Sequence, residues 1–369
     1  MTESRVAKPR AREIGLAMPG VPGPLNAITD VAGILVGTTT LIEGEGLLRT
    51  GHGPVRTGVT AILPRGRSTA MIPAWAGISA LNGNGEMTGS HWIADGGHFY
   101  GPIILTNTHS VGIAHHAAVG WMIDTYPAFA DEHVFAMPVV AETYDGVLND
   151  VNGRHIREEH VRAALDSATD GPVQEGAVGG GTGMICYEFK GGTGTSSRRV
   201  GDHTVAALIQ ANHGMRDWLT VLGVPVGRVL RDDRLRRRES GSIIVILATD
   251  APMMPHQLQR LARRAAIGIG RHGTPGGNNS GDIFLAFSTA NPIPRADLES
   301  GVHDFRFLAD AMFDPYYLAA VEATEEAVLN AMLAARDFTT LKPAGKTCRA
   351  LDADLLLDAL AKAPKPVAR

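Results

Sequence analysis

The stretch Gly273-Thr274-Pro275-Gly276-Gly277-Asn278-Asn279-Ser280-Gly281-Asp282 delivers a serine to the mouth of an apolar run, Ile283 to Ser288. If the peptide bond between Asn279 and Ser280 breaks, Ser280 becomes a new N-terminus. Its α-amine then has a pKa of about 7.7 to 8.0. Such an amine can take the proton of its own hydroxyl, directly or through one water, so no histidine base is needed. The glycines before the bond let the backbone bend until the hydroxyl reaches the preceding carbonyl, at a strain on the order of 1–3 kcal/mol per outlying residue. The other reading is a hairpin-type loop in which Asn-Ser-Gly-Asp satisfies its own turn.

Other chemistries lack their residues. Gly179-Gly180-Gly181-Thr182-Gly183 has no Gly-Lys-Ser/Thr after it, so it reads as a close-packed turn and not as a phosphate loop. His109, His115 and His116 come nearest to a cluster, but no metal-ligand spacing accompanies them, and neither a metal nor another cofactor is expected. The Gly-x-Ser-x-Gly elbow of α/β-hydrolases is missing. Cys186 and Cys348 are far apart and read as buried free thiols, which makes a cytoplasmic location the default.

The elements that must position any such serine are short strands between glycine-rich turns. Val59 to Pro64, Ile103 to Thr106, Val134 to Val140, Thr204 to Gln210 and Ser242 to Ala248 read as buried strands, the last being the strongest. Helical periodicity marks His256 to Ile269, Tyr316 to Ala335 and Ala353 to Lys362. Strands and helices do not alternate as βαβ units, so a layered α/β arrangement with a mixed or largely antiparallel sheet fits best. The charged run Arg228 to Glu239 reads as a solvated loop, with a polyanion site as the other reading, and the tail at Pro364, Lys365 and Pro366 as frayed.

The 369 residues are 44% hydrophobic and 20% charged, an ordinary globular composition with material for a large core. A formal charge of −4 offers no case for nucleic acid or an anionic membrane. The N-terminal segment carries charges without an apolar stretch and does not read as a secretory signal.

Several stretches, in collinear order, resemble the L-aminopeptidase/D-Ala-esterase-amidases and β-peptidyl aminopeptidases. They include Gly23 to Gly33, Gly53 to Gly66, Leu81 to Gly89, Gly101 to Gly112, Ala141 to Gly153, Gly176 to Gly192, Gln210 to Gly214, Ala248 to Pro252 and Asn278 to Asn291. The resemblance implies an αββα sandwich similar to N-terminal-nucleophile hydrolases but differently connected. It also implies a single catalytic domain that cuts itself before the serine, here into residues 1–279 and 280–369. Small peptides, amides or esters with a free amino group would be the substrates, and the assembly a homo-oligomer, a tetramer of processed αβ units.

The resemblance assigns further roles residue by residue. Tyr144 would donate to the developing oxyanion, although a tyrosine beside Asp-Gly also reads as a packed core edge. Asn212 would be a second donor to it, or else an Asx turn at a strand end. Glu142 would receive the substrate ammonium, which needs a carboxylate when buried, or is a strand-end glutamate. Thr324 and Glu326 would form a hydroxyl-plus-carboxylate pair near the nucleophile, with Glu325 leaving the register open; otherwise they lie on a solvated acidic helix face. Two rivals stand beside this reading. Acyltransferases of the ornithine-acetyltransferase type share the self-processing logic but use threonine, and a binding or assembly protein could retain the fold without cutting itself.

Overall fold

The computed structural model describes residues 8–236 and 238–363. Arg237, the N-terminal seven residues and the tail expected to fray lie outside them. In chain order the strands are β1 (Leu35–Glu43), β2 (Val55–Leu63), β3 (Ala74–Ala80), β4 (His98–Phe99), β5 (Ile103–Asn107) and β6 (Val139–Thr143). There follow β7 (Ile185–Cys186), β8 (Phe189–Lys190), β9 (Gly192–Val200), β10 (His203–Asn212), β11 (Ser242–Thr249) and β12 (Asp282–Ser288), with β13 (Phe338–Leu341) and β14 (Ala344–Cys348) last. The helices are α1 (Ser90–Gly96), α2 (Val111–Thr125), α3 (Ala128–Asp131), α4 (Glu158–Asp166), α5 (Pro255–Ala262), α6 (Arg264–Gly270), α7 (Arg295–Leu298), α8 (Asp314–Leu333) and α9 (Ala353–Lys362).

Two mixed sheets stack face to face. One runs β1-β2-β5-β6 and the other β4-β3-β12-β11-β10-β9. Side chains alternate along each strand, so an inner strand feeds two cores at once. From β11, Ile244, Ile246 and Ala248 enter the inter-sheet core with Ile62, Leu105 and Ala141 of the facing sheet. Ile243, Val245 and Leu247 face outward under α5, α6 and α8, beside Leu258, Leu261, Ala265 and Val328. On the other side, Val59, Ala61, Ile104 and Val140 pack under α2 and α4 through Ala117, Ala118, Val161 and Leu165. The result is the expected αββα sandwich. Parallel pairs β5–β6 and β11–β12 are joined by helical crossovers, so several strand ends meet at one rim.

Most expected elements are present with shifted bounds. The strand expected from Val134 begins only at Val139, because Pro138 has no N–H for a ladder. The single helix expected over 256–269 is two, α5 and α6, with Arg263 between them. The Gly179–Gly183 turn is a buried 3₁₀ segment pressed between the sheets: a methyl on Gly180 would lie 2.1 Å from Gln210 Oε1. Helix α8 overturns the alternative of a solvated acidic face. Its acidic residues Glu322, Glu325 and Glu326 are buried, not solvated.

Candidate active site

The rim is built where the C-terminal end of β10 and the heads of β11 and β12 lie side by side. Asn212 stands opposite Ser242 in the antiparallel pair, and Ile243 opposite Asp282 in the parallel one. The backbone N–H of Gly281 donates to Ser242 Oγ at 3.1 Å, and that hydroxyl donates in turn to the carbonyl oxygen of Gly241 at 2.8 Å. Gly241 has no room for a side chain, since a methyl there would sit 1.8 Å from the Asn212 carbonyl oxygen.

Ser280 is almost fully buried two residues before Asp282. Its Oγ donates to Asp282 Oδ1 at 2.5 Å, and its N–H donates to Gly277 O at 2.9 Å. Burial pushes the Asp282 carboxyl above the usual carboxylate range, with hydrogen bonds from Ser280, Asn82 and the Ile243 backbone opposing it. A desolvated carboxyl next to a hydroxyl can exchange a proton with it.

The loop Asn82–Glu86 crosses over this turn. Asn82 Nδ2 donates to Gly277 O at 3.1 Å and Asp282 Oδ2 at 3.2 Å, and Asn84 Nδ2 donates to the Asn279 carbonyl at 2.8 Å. Contact is close enough that a methyl on Gly281 would lie 2.4 Å from Asn84 O. The far side of the loop rests on Glu142 of β6. Glu142 Oε1 accepts the Glu86 N–H at 3.1 Å, and Oε2 accepts the Thr108 hydroxyl. Burial raises the Glu142 pKa, against the lowering effect of those two donors.

Asn212 is wholly buried and uses its amide on both sides. Oδ1 accepts the Ile185 N–H at 2.8 Å, and Nδ2 donates to the Tyr144 carbonyl at 2.9 Å. A primary amide carries two N–H groups, so one donor remains for a ligand. Tyr144 is 38% exposed, and its phenol folds back over Gly146, where a methyl would be 2.3 Å from the hydroxyl. Next to it, Asp145 is fully buried and pushed up to about 7 by desolvation, held by Asn149 Nδ2 at 3.0 Å.

Thr324 and Glu326 do not join this group. The Thr324 hydroxyl donates to Ala320 O at 2.8 Å, and its Cβ faces Gly268 of α6. Glu326 pairs with Arg198 at 2.7 Å and Arg12 at 3.0 Å, and accepts from Asn26 Nδ2 at 2.6 Å. The reason is geometric. Residues i and i+2 on a helix point to different sides, whereas on a strand they share a face. Ser280 and Asp282, which lead into β12, have the same spacing as the expected pair and are hydrogen-bonded to each other.

Sequence reasoning missed Ser242 and Asp282, whereas the segment Asn82-Gly83-Asn84-Gly85-Glu86 reads from the sequence as shaping the substrate pocket or a subunit contact. A signal existed for Ser242: Gly-Ser stands immediately before the continuous apolar run Ile243 to Ala248.

The family model for Peptidase family S58 matches residues 26–345. The chain belongs to that family. A β-peptidyl aminopeptidase BapA from Sphingosinicella microcystinivorans is 49% identical over 351 residues, covering 90% of this chain and 87% of that one. Its counterpart from Sphingosinicella xenopeptidilytica is 46% identical with the same coverage of 90% and 87%. Among solved structures, the L-aminopeptidase D-Ala-esterase/amidase of Ochrobactrum anthropi superposes with a TM-score of 0.91 at 56% identity, over 96% of this chain and 99% of that chain. That protein is a variant of the Ntn-hydrolase fold. A Burkholderia sp. β-aminopeptidase gives a TM-score of 0.88 at 44% identity, over 97% and 100%. This S58 chain is therefore an aminopeptidase with an Ntn-like α/β fold. Among its described residues no helix is long and apolar enough to cross a membrane.

Proposed function

We propose a self-processing serine aminopeptidase in which the Gly241–Ser242 bond breaks and Ser242 becomes the nucleophile. The observation that carries this is the Ser242 hydroxyl, 2.8 Å from the oxygen of the carbonyl it would attack. Proximity of that order turns a bimolecular step into an intramolecular one. Oγ adds to the Gly241 carbonyl carbon, the C–N bond breaks with the proton passing to nitrogen, and water hydrolyses the ester. The freed Ser242 α-amine emerges at the head of an interior strand, beside the Ser280–Asp282 pair.

The break expected from the sequence, at Asn279–Ser280 with products 1–279 and 280–369, has one support: the Asn84 amide donates to the Asn279 carbonyl. Against it, the Ser280 hydroxyl is turned to Asp282 instead of to that carbonyl. Ser280 and Asp282 fit better as a relay that takes and returns a proton for the Ser242 amine.

In turnover, Ser242 attacks the first carbonyl of a short peptide, amide or ester, and its α-amine takes the hydroxyl proton and passes it to the leaving amine. Asn212 offers its unused N–H to the oxyanion, with Tyr144 as a second donor once its phenol swings inward. Glu142 receives the substrate ammonium. Water then frees the acyl group. The names of the relatives span L-, D-alanyl and β-aminoacyl chemistry, so a panel of p-nitroanilides of L-Ala, D-Ala and β-homoalanine defines the substrate class. A tetramer of αβ units is the assembly this reading carries, and light scattering measures it.

N-terminal sequencing and intact-mass analysis of the purified protein test the assignment. A second chain beginning at Ser242, with Ser242→Ala left whole at 39.0 kDa, is the expected result. A chain beginning at Ser280 would return the nucleophile to that residue.

A further inference from the structure

The charged segment before Gly241 reads in the sequence as a solvated loop, yet its backbone is clamped. Two residues do this from the β7–β8 hairpin and the chain after β10. The Glu188 carboxylate, fully buried, accepts the backbone N–H groups of Leu235 and Arg236, each at 2.8 Å, on Oε1. Its Oε2 accepts Arg234 Nε at 3.0 Å and the Arg216 N–H at 3.0 Å. Arg216 grips the same segment by its carbonyls, donating from Nη1 to Leu230 O at 3.1 Å and Asp232 O at 3.2 Å. It is held in turn by the carbonyls of Tyr187 and Glu188 at 2.9 and 2.8 Å, and its guanidinium lies 3.4 Å from the Phe189 ring centre.

This clamp sits on a costly turn. Tyr187 and Glu188 both have positive φ, 50° and 61°, in a two-residue hairpin position that favours asparagine and glycine. Side chains in that region are uncommon and mark places where the surroundings hold the backbone against its preference. A salt bridge on the surface would not need it. Here the strain aims one carboxylate at two successive amides of a segment that ends, five residues later, at the bond proposed to break.

Resting on the Gly241–Ser242 reading, we infer that Glu188 is a positioning residue for self-cleavage, fixing residues 234–236 so that Gly241 is presented to the Ser242 hydroxyl. It touches no reacting atom. After the cut it has no further part in turnover, because the nucleophile then belongs to a separate chain anchored through β11.

The experiment follows processing of the full chain by gel and mass over time, then measures kcat and KM of the processed fraction. Glu188→Ala is expected to slow processing by about tenfold or more, since small misplacements of reacting groups carry penalties of that size. Processed Glu188→Ala should keep wild-type kcat and KM. Glu188→Gln, which retains one acceptor for the two amides, should fall between, and Arg234→Ala, which removes only the peripheral guanidinium, should slow processing less. If Glu188→Ala is insoluble, the other two variants decide by the same criterion. Processing at the wild-type rate in the variants overturns the proposal, as does a kcat/KM that drops in parallel with the processing rate. A cut before Ser280 instead of Ser242 defeats the underlying reading and is recognised separately, by the sequence of the new N-terminus.

Discussion

The Asn212 side chain donates to the main-chain carbonyl of Tyr144 across 2.9 Å, tying the end of β10 to the segment that leaves β6 in the opposite sheet. Asn212→Ala should therefore have two separable effects. Loss of an oxyanion donor typically lowers kcat by about 10²–10³ with little change in KM. The buried Ile185 N–H also loses its partner, at about 1–3 kcal/mol, and the part-buried Tyr144 C=O loses its donor. Steady-state kinetics and thermal unfolding of the same preparation check both. Unchanged kcat with only a lowered Tm would reduce Asn212 to a structural link.

Glu326 should behave in the opposite way. It lies between Arg198 and Arg12 in a buried cluster, and removing one partner of such a group strands charge in the interior. Glu326→Ala is expected to cost about 3–5 kcal/mol of stability. The fraction that remains folded should keep its kcat/KM. Denaturant unfolding combined with active-site titration checks this, and a selective fall in kcat per folded molecule would restore Glu326 to the machinery.

The layers were legible because inner strands are buried on both faces. Ile243 to Ala248 must be an unbroken apolar run if Ile244 and Ile246 fill one core while Val245 and Leu247 fill the other. The site was less legible. Ser242 shares its setting with Asn212, Gly281 and Asp282, which come together only through strand register, and nothing local to Gly-Ser announces that. Ser280 was visible because its own loop is unusual. On α8 a spacing of two residues separates Thr324 from Glu326, whereas at the head of β12 the same spacing brings Ser280 and Asp282 into hydrogen-bond contact. Glu142 could be read as an ammonium acceptor, but its donors Thr108 and Glu86 lie in other segments.

Gly281 is a test of the loop that crosses the rim. Its N–H reaches Ser242 Oγ, and an added methyl would meet Asn84 O at 2.4 Å, against backbone that cannot yield. Gly281→Ala should thus impair processing strongly. Gly112, exposed in α2 with nothing within 4 Å of an added methyl, is the control. Gly112→Ala should process normally and gain up to about 1 kcal/mol from helix propensity. Equal processing of both variants would show that the Gly281 contact does not position Ser242.

Glu142 links activity, stability and pH. Its folded-state pKa is raised, chiefly by burial, so below that value the site holds a neutral acid that cannot pair with an ammonium. The acid limb of kcat/KM should then lie above the ordinary range of a glutamate. Glu142→Gln should abolish that limb and raise KM by about 10- to 100-fold, the loss expected for a charge-assisted hydrogen bond, while kcat changes little. Stability runs the other way. A carboxyl that binds its proton more tightly when folded makes the protein lose stability as pH rises from the unfolded pKa to the folded one, and the deficit persists above it. The glutamine variant lacks this deficit, so its Tm should exceed that of the parent at neutral pH and converge with it in acid. A parent Tm that stayed above the variant's across that whole range would mean that the carboxylate is held by more favourable contacts than Thr108 and the Glu86 amide provide.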